Sequence, residues 1–344
     1  MIYPEPLKKG SRIAITAFSS GIADRQEKRF IEIQRTLTER GYEVVIGDCL
    51  KGNHKHVSAS KEKRANELMS FLTDDSIDAI APPWGGELAI EILPLLNFKK
   101  IENSKPKWIF GFSDVSTVTS VISSVVGWVT VHSSNLMDII DTNTDPLMAS
   151  TLNYLEQKVG TSFSQRASDK HTRSWPDISV DPLAAVVGDK TTEWKWLNKP
   201  EGSELVTGRL IGGCWDTLIH LFETPFLSLS KLKSKYPDDG LILYLENVEM
   251  SPCDVVRAIH SMEFRGVFEA IDGLVLGRSF AIDSNDDSAL TYLEVLQEHL
   301  GNKSIPIMYD VDIGHVPPNL TLMNGSFAQF TIVNKQGEVT QWLK

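Results

Sequence analysis

The chain has 344 residues, long for one core, so two domains of ordinary size are expected. At 42% hydrophobic and 23% charged residues the composition is globular and excludes a disordered or fibrous chain. With 34 Lys and Arg against 45 Asp and Glu, the formal charge of −11 disfavours a nucleic-acid partner, which needs a basic stripe for phosphates. A soluble enzyme or small-molecule binder fits better.

Cys49, Cys214 and Cys253 are far apart and form no Cys-x-x-Cys, so neither a disulfide framework nor a zinc site is suggested. They read as small buried hydrophobes in a reducing compartment. The opening Met-Ile-Tyr-Pro-Glu-Pro-Leu-Lys-Lys-Gly lacks the order of a signal peptide, and no apolar run reaches membrane-spanning length. A cytoplasmic location is expected, with no membrane partner.

Arg12–Ala17 predicts a first strand, followed by a Phe-Ser-Ser-Gly turn. A charged helix opens at Asp24, carries Phe30, Ile31, Ile33 and Leu37 inward, and ends at Gly41. Tyr42–Gly47 predicts a strand, Ser60–Thr73 a helix, Ile77–Pro82 a strand and Glu87–Leu96 a helix after Gly85-Gly86. Trp108–Gly111 predicts a fourth strand, Asp114–Val126 its helix and Trp128–His132 a fifth strand. Strict alternation implies an α/β domain with a parallel sheet covered on both faces. Ligands of such sheets bind beyond the carboxyl ends of the strands, where Ser113 and Gly85-Gly86 fall.

The alternation breaks between Gly160 and about Lys199, a polar stretch holding Trp175, Trp194 and Trp196. The expected organisation is therefore an N-terminal domain over 1–165, a connection over 166–199 and a smaller β-rich α+β domain over 200–344. In the last, Leu205–Leu210, Gly240–Glu246 and Gly273–Gly277 predict strands, Pro252–Phe264 and Ser288–Leu300 helices. Short β segments with turns such as Asn324-Gly325 fill Pro306–Leu343.

A nucleophilic serine needs a sharp exposed turn, a base within reach and donors for an oxyanion. Gly111-Phe-Ser-Asp-Val-Ser meets the first demand, although it is not a Gly-x-Ser-x-Gly elbow, since Val115 stands at the closing glycine's place and Ser116 ends the hexapeptide. From these residues alone Ser113 reads first as the cap of the following helix. The Trp84-Gly-Gly-Glu87 turn either exposes amides or merely turns tightly. Glu246 ends an apolar strand, where a desolvated acid can orient a histidine. His315 lies in Asp-Val-Asp-Ile-Gly-His-Val-Pro-Pro, a turn that Gly314 and Pro317 fix. His132, at the end of the fifth strand, is the rival base. No His-Glu-x-x-His or similar spacing occurs, so no metal is expected.

The order Ser113, Glu246, His315 resembles the LD-carboxypeptidase family of serine peptidases, closest to its microcin C self-immunity branch. The likeness runs through Leu-Lys-Lys-Gly-Ser-Arg-Ile-Ala-Ile, Gly85-Gly86, Gly111–Asp114, Gly208–Gly213, Leu245–Asn247 and Gly314-His315. It implies Ser113 as nucleophile, His315 as general base and Glu246 as its orienting carboxylate. It further implies oxyanion donors from the backbone of Gly85, Gly86 and Asp114, an interdomain cleft as the site, no cofactor and a homodimer. Two amide substrates follow: a microcin C-like peptidyl or aminoacyl nucleotide, or a murein tetrapeptide cut across its L,D bond. In the immunity branch a tryptophan of the connecting loop stacks on the nucleobase, and Trp175 is the expected counterpart. The chain departs from the family at His132-Ser133-Ser134, where a glycine-proline pair is common. The rival class is a non-catalytic cleft-type small-molecule binding protein, which has no reason to bring Ser113, Glu246 and His315 together.

Overall fold

The computed structural model describes residues 1–143, 145–199, 201, 204–333 and 336–344. Strands β1 (Arg12–Ile15), β2 (Glu43–Ile46), β3 (Ala79–Ala81), β4 (Trp108–Gly111) and β5 (Thr130–His132) are parallel neighbours in the order 5-4-3-1-2. Every residue of β3, β4 and β5 is buried. Strands covered on both faces lose the alternation of half-exposed ones, hence the runs Ala-Ile-Ala and Trp-Ile-Phe-Gly.

The crossovers include helices Glu27–Glu39 and Lys61–Leu72, the second capped by Ser60, whose hydroxyl accepts from the Lys63 amide. Two predicted helices take other forms. Ala89–Leu95 is 3₁₀-helical, with Pro94, which lacks an amide N–H, inside it. Beyond Ser113 an α-helix covers only Val115–Val121 and continues as a π-helical turn, Ile122–Val126, that stops at left-handed Gly127.

The remaining strands are β6 (Ser162–Arg166), β7 (Lys170–His171), β8 (Lys190–Thr191), β9 (Lys195–Asn198), β10 (Leu205–Cys214), β11 (Leu241–Glu246), β12 (Gly273–Gly277), β13 (Ile307–Val311), β14 (Leu322–Asn324), β15 (Phe327–Val333) and β16 (Gln336–Trp342). Eight of them form a second sheet in the order 6-16-15-10-11-12-13-9, with β10 to β13 parallel and the flanks antiparallel. Helices Pro252–Phe264 and Tyr292–Leu300 lie in the connections between its parallel strands.

Sheet membership does not follow the chain in blocks. Strand β6, which begins inside 1–165 and ends at Arg166, pairs with β16, and β9, inside 166–199, is the edge strand beside β13. Strand β14 leaves the second half to pair antiparallel with β5, Leu322 opposite His132. Because β13 and β14 belong to different sheets, the chain between them must cross from one to the other. That crossing carries His315.

The helix Val115–Val121 is buried along its whole length and packs between the sheets. Its sequence, Val-Ser-Thr-Val-Thr-Ser-Val, suits a site where no face reaches water, since its hydroxyls find partners nearby. Ser116 Oγ accepts from the Cys214 amide at 3.0 Å, and Ser120 Oγ donates to the Gly212 carbonyl at 2.7 Å. The close approach of β10 needs glycine: a Cβ on Gly212 would lie 1.8 Å from the Tyr244 carbonyl oxygen. Gly212→Ala is expected to destabilise the fold by about 2 kcal/mol or more, read as a lower urea midpoint at unchanged slope.

Candidate active site

Ser113 directly follows Gly111 and Phe112 at the carboxyl end of β4, and its backbone is left-handed at φ 64°. A non-glycine residue held there is strained, and the surroundings must impose it. Asn135 is part of that frame, its Oδ1 accepting from the Phe112 amide at 3.0 Å. Gly111, at φ 139°, has no room for a side chain, since a Cβ would come within 2.6 Å of that oxygen.

His315 meets the Ser113 hydroxyl, with Nε2 3.1 Å from Oγ. Its Nδ1 lies 2.8 Å from Glu246 Oε2. Glu246 is the last residue of β11 and has no exposed surface. Gly314 brings the histidine this close, since a Cβ there would sit 2.3 Å from the same carboxylate oxygen. Burial disfavours the charged ring, yet the charge and hydrogen bond of Glu246, with Asp216 and Glu249, outweigh it and hold His315 above its ordinary range.

On the other side of Ser113 stands the glycine turn. A Cβ on Gly85 would lie 2.7 Å from Ser113 Cβ and 2.8 Å from the Asp114 amide nitrogen. Among the described residues the amides of Gly85, Gly86 and Asp114 donate no hydrogen bond. Gly85 thus packs directly against Ser113 and the Asp114 amide, and these backbone donors are free.

His132, the rival base, is placed differently. It is buried between Tyr244 and Phe112, both ring nitrogens lack a hydrogen-bond partner, and burial with the nearby His315 pushes its pKa down to about 3. Trp175 comes to the site: its indole N–H donates to the His315 carbonyl at 2.9 Å, and its ring stacks on Phe112 at 6.3 Å. Trp194 instead is core, donating to Asp312 Oδ2 at 2.7 Å. Burial first, then the charges of Glu246 and Asp216, keep the Cys214 thiol protonated, so it offers no rival nucleophile. No cluster of three metal-ligating side chains occurs among the described residues.

Residues 13–133 match the LD-carboxypeptidase N-terminal domain and residues 207–330 the LD-carboxypeptidase C-terminal domain. The chain belongs to the LD-carboxypeptidase family. It is 27% identical to a putative carboxypeptidase of Vibrio cholerae, over 93% of this chain and 92% of that one. It is 25% identical to the microcin C7 self-immunity protein of Escherichia coli, over 98% and 95% of the two chains. A probable murein peptide carboxypeptidase of Bacillus subtilis is 22% identical over 96% and 92%. The fold is likewise that of a microcin C7 self-immunity protein solved with aspartyl sulfamoyl adenosine, at a TM-score of 0.84 and 23% identity over 100% and 99% of the two chains. The chain is a peptidase of mixed α/β, two-domain architecture.

In this LD-carboxypeptidase family member some site residues escape sequence reasoning. The Asp114 carboxylate, read only for its amide, accepts from Ser19 Oγ at 2.6 Å and the Ala89 amide at 2.7 Å, tying the glycine turn to the serine turn. Arg278 and Asp312 form a buried pair at 2.6 Å, and Arg278 also donates to the Val316 carbonyl, which pins the His315 turn. Asp138 lines a cavity beside Gly85 and Gly86. An acid inside the run Leu-Met-Asp-Ile-Ile was its signal. By NMR the His315 ring should titrate above 6.5, and in Glu246→Gln at a lower pH than in the native protein, because burial is then opposed only by the charges of Asp216 and Glu249. An unchanged midpoint in the variant would mean that Glu246 does not set the ring's charge.

Proposed function

We propose that this peptidase cleaves an amide by acyl transfer through Ser113, His315 and Glu246, and that its substrates are microcin C-like peptidyl or aminoacyl nucleotides. The observation that carries the reading is the continuous relay from Glu246 through His315 to Ser113 Oγ, bordered by unengaged backbone amides. In the first half-reaction His315 Nε2 takes the hydroxyl proton as Ser113 Oγ attacks the carbonyl carbon. The amides of Gly85, Gly86 and Asp114 hold the oxyanion of the tetrahedral intermediate. Glu246 keeps the proton of Nδ1 in place and stabilises the imidazolium that forms. His315 then gives its proton to the leaving amine. In the second half-reaction water, deprotonated by the same ring, frees the acid product and restores Ser113. No step requires a cofactor.

The nucleotide preference is supported by Trp175. It is half-buried and stacked on Phe112 on one side, and it lines the cavity next to the glycine turn, a position from which an indole can take a nucleobase. Among the relatives, the immunity protein was solved with an aminoacyl nucleoside, which accords with that use. A second reading, L,D cleavage of a murein tetrapeptide, is favoured by the likeness to the probable murein peptide carboxypeptidase. The proposal includes cytoplasmic action as a homodimer. No helix of the described chain is long and apolar enough to cross a membrane.

Two substrates separate the readings. The native protein is expected to hydrolyse aspartyl sulfamoyl adenosine faster than a murein tetrapeptide, and Ser113→Ala to lose about a thousandfold or more in kcat on the preferred one. Because only the neutral imidazole accepts a proton, kcat/KM should fall as pH drops through a midpoint above 6.5. Hydrolysis of neither compound, or hydrolysis that survives in Ser113→Ala, would defeat the proposal.

A further inference from the structure

A cavity of about 370 Å³ opens beside the glycine turn, and its wall includes Trp84, Gly85, Gly86, Asp138 and Trp175. Arg25 and Asn53, both exposed, mark its mouth. Asp138 is only 6% exposed. Such a carboxylate normally has a cation or several donors to compensate its lost hydration. Here the Asn135 backbone amide acts on the carboxyl, and among the described residues no side chain donates to the carboxylate, the Asn143 amide donating instead to the Asp138 backbone carbonyl.

The nearest candidate cation does not fill the gap. Arg29 donates to the backbone carbonyls of Met137, Pro182 and Ala184, at 2.5, 3.0 and 3.1 Å, and forms no ion pair with Asp138. Burial accordingly pushes the Asp138 carboxyl up to about 6, although Arg29, the Asn135 amide and His315 pull it down. The acid is thus short of positive charge, and it lines the cavity. A metal ion would require further ligands, and none cluster there. An ammonium group is compact, offers three donors and is also favoured beside indole faces such as those of Trp84 and Trp175.

We propose that Asp138, with Trp84 and Trp175, forms a subsite for a free ammonium group on the acyl portion of the substrate, making Asp138 a specificity-determining residue. The inference rests on the peptidase reading above in one respect, that the acyl portion lies beside Gly85 and Gly86. An ammonium held by Asp138 anchors the chain whose carbonyl reaches Ser113. The mouth is left for the remainder of the substrate. Substrates acylated at that nitrogen would lose both the charge and the donors and would leave Asp138 buried without compensation, so of the two nucleotide classes the aminoacyl nucleotides should bind more tightly than the peptidyl ones.

The test reads binding rather than turnover, so a failure of the serine chemistry leaves its outcome intact. Calorimetry on Ser113→Ala and Ser113→Ala/Asp138→Asn would use two ligand pairs. These are aspartyl sulfamoyl adenosine with its N-acetyl derivative, and a murein tetrapeptide with its N-acetylated form. For at least one pair the free amine should bind Ser113→Ala about tenfold or more tightly than the acetylated ligand, and the double variant should lose that preference. Equal binding of amine and amide to Ser113→Ala, a preference that persists in the double variant, or no binding in either pair would overturn the proposal. Because the amine–amide comparison on Ser113→Ala keeps Asp138 intact, it stands even if the double variant does not fold.

Discussion

A carboxylate with no exposed surface at the end of β11 must be compensated, and Glu246 finds His315 at 2.8 Å. Much of the molecule is arranged so that this contact can form. Gly314 and Gly277 clear space around the acid: a Cβ on the first would strike its carboxylate, and one on the second would come within 2.9 Å of its Cβ. The buried Arg278–Asp312 pair fixes the turn that carries the histidine, and Asp312 also accepts from Ser168 and Trp194, drawing the central stretch of the chain into the same frame. Breaking such a pair by removing one partner costs several kcal/mol, which makes the turn rigid by construction.

The serine side is built on a different constraint. Ser113 is held left-handed by what packs around it, between the Asn135 amide clamp and a fully buried helix. The Asp114 carboxylate joins this turn to the glycine turn through Ser19 and Ala89. Ser113 and Glu246 thus arise at the ends of strands in different sheets, and His315 meets both because the segment between β13 and β14 crosses from one sheet to the other.

Much of this is legible in the sequence, for reasons that differ by element. The parallel strands β3 and β4 stand out as short apolar runs because both of their faces are covered. Glu246 and His315 are visible through local chemistry, an acid ending an apolar strand and a histidine between glycine and proline. What escapes is long-range. That β6 and β9 belong to the second sheet, and β14 to the first, depends on pairings across more than a hundred residues, which no local pattern encodes. His132 looked competent as a base by position, and only its burial between Tyr244 and Phe112 shows it to be without a proton partner. Asp138 was hidden for the opposite reason, since its meaning lies in a cavity assembled from distant segments.

We propose that Ser113 is made nucleophilic by His315, which Glu246 orients and whose charged form it stabilises. The most direct test is covalent labelling with a fluorophosphonate, followed by peptide mapping by mass spectrometry in the native protein and in Glu246→Gln. One adduct on Ser113, formed much more slowly in the variant, is the predicted result. Labelling at another residue, no labelling at all, or equal rates in the two proteins would contradict it.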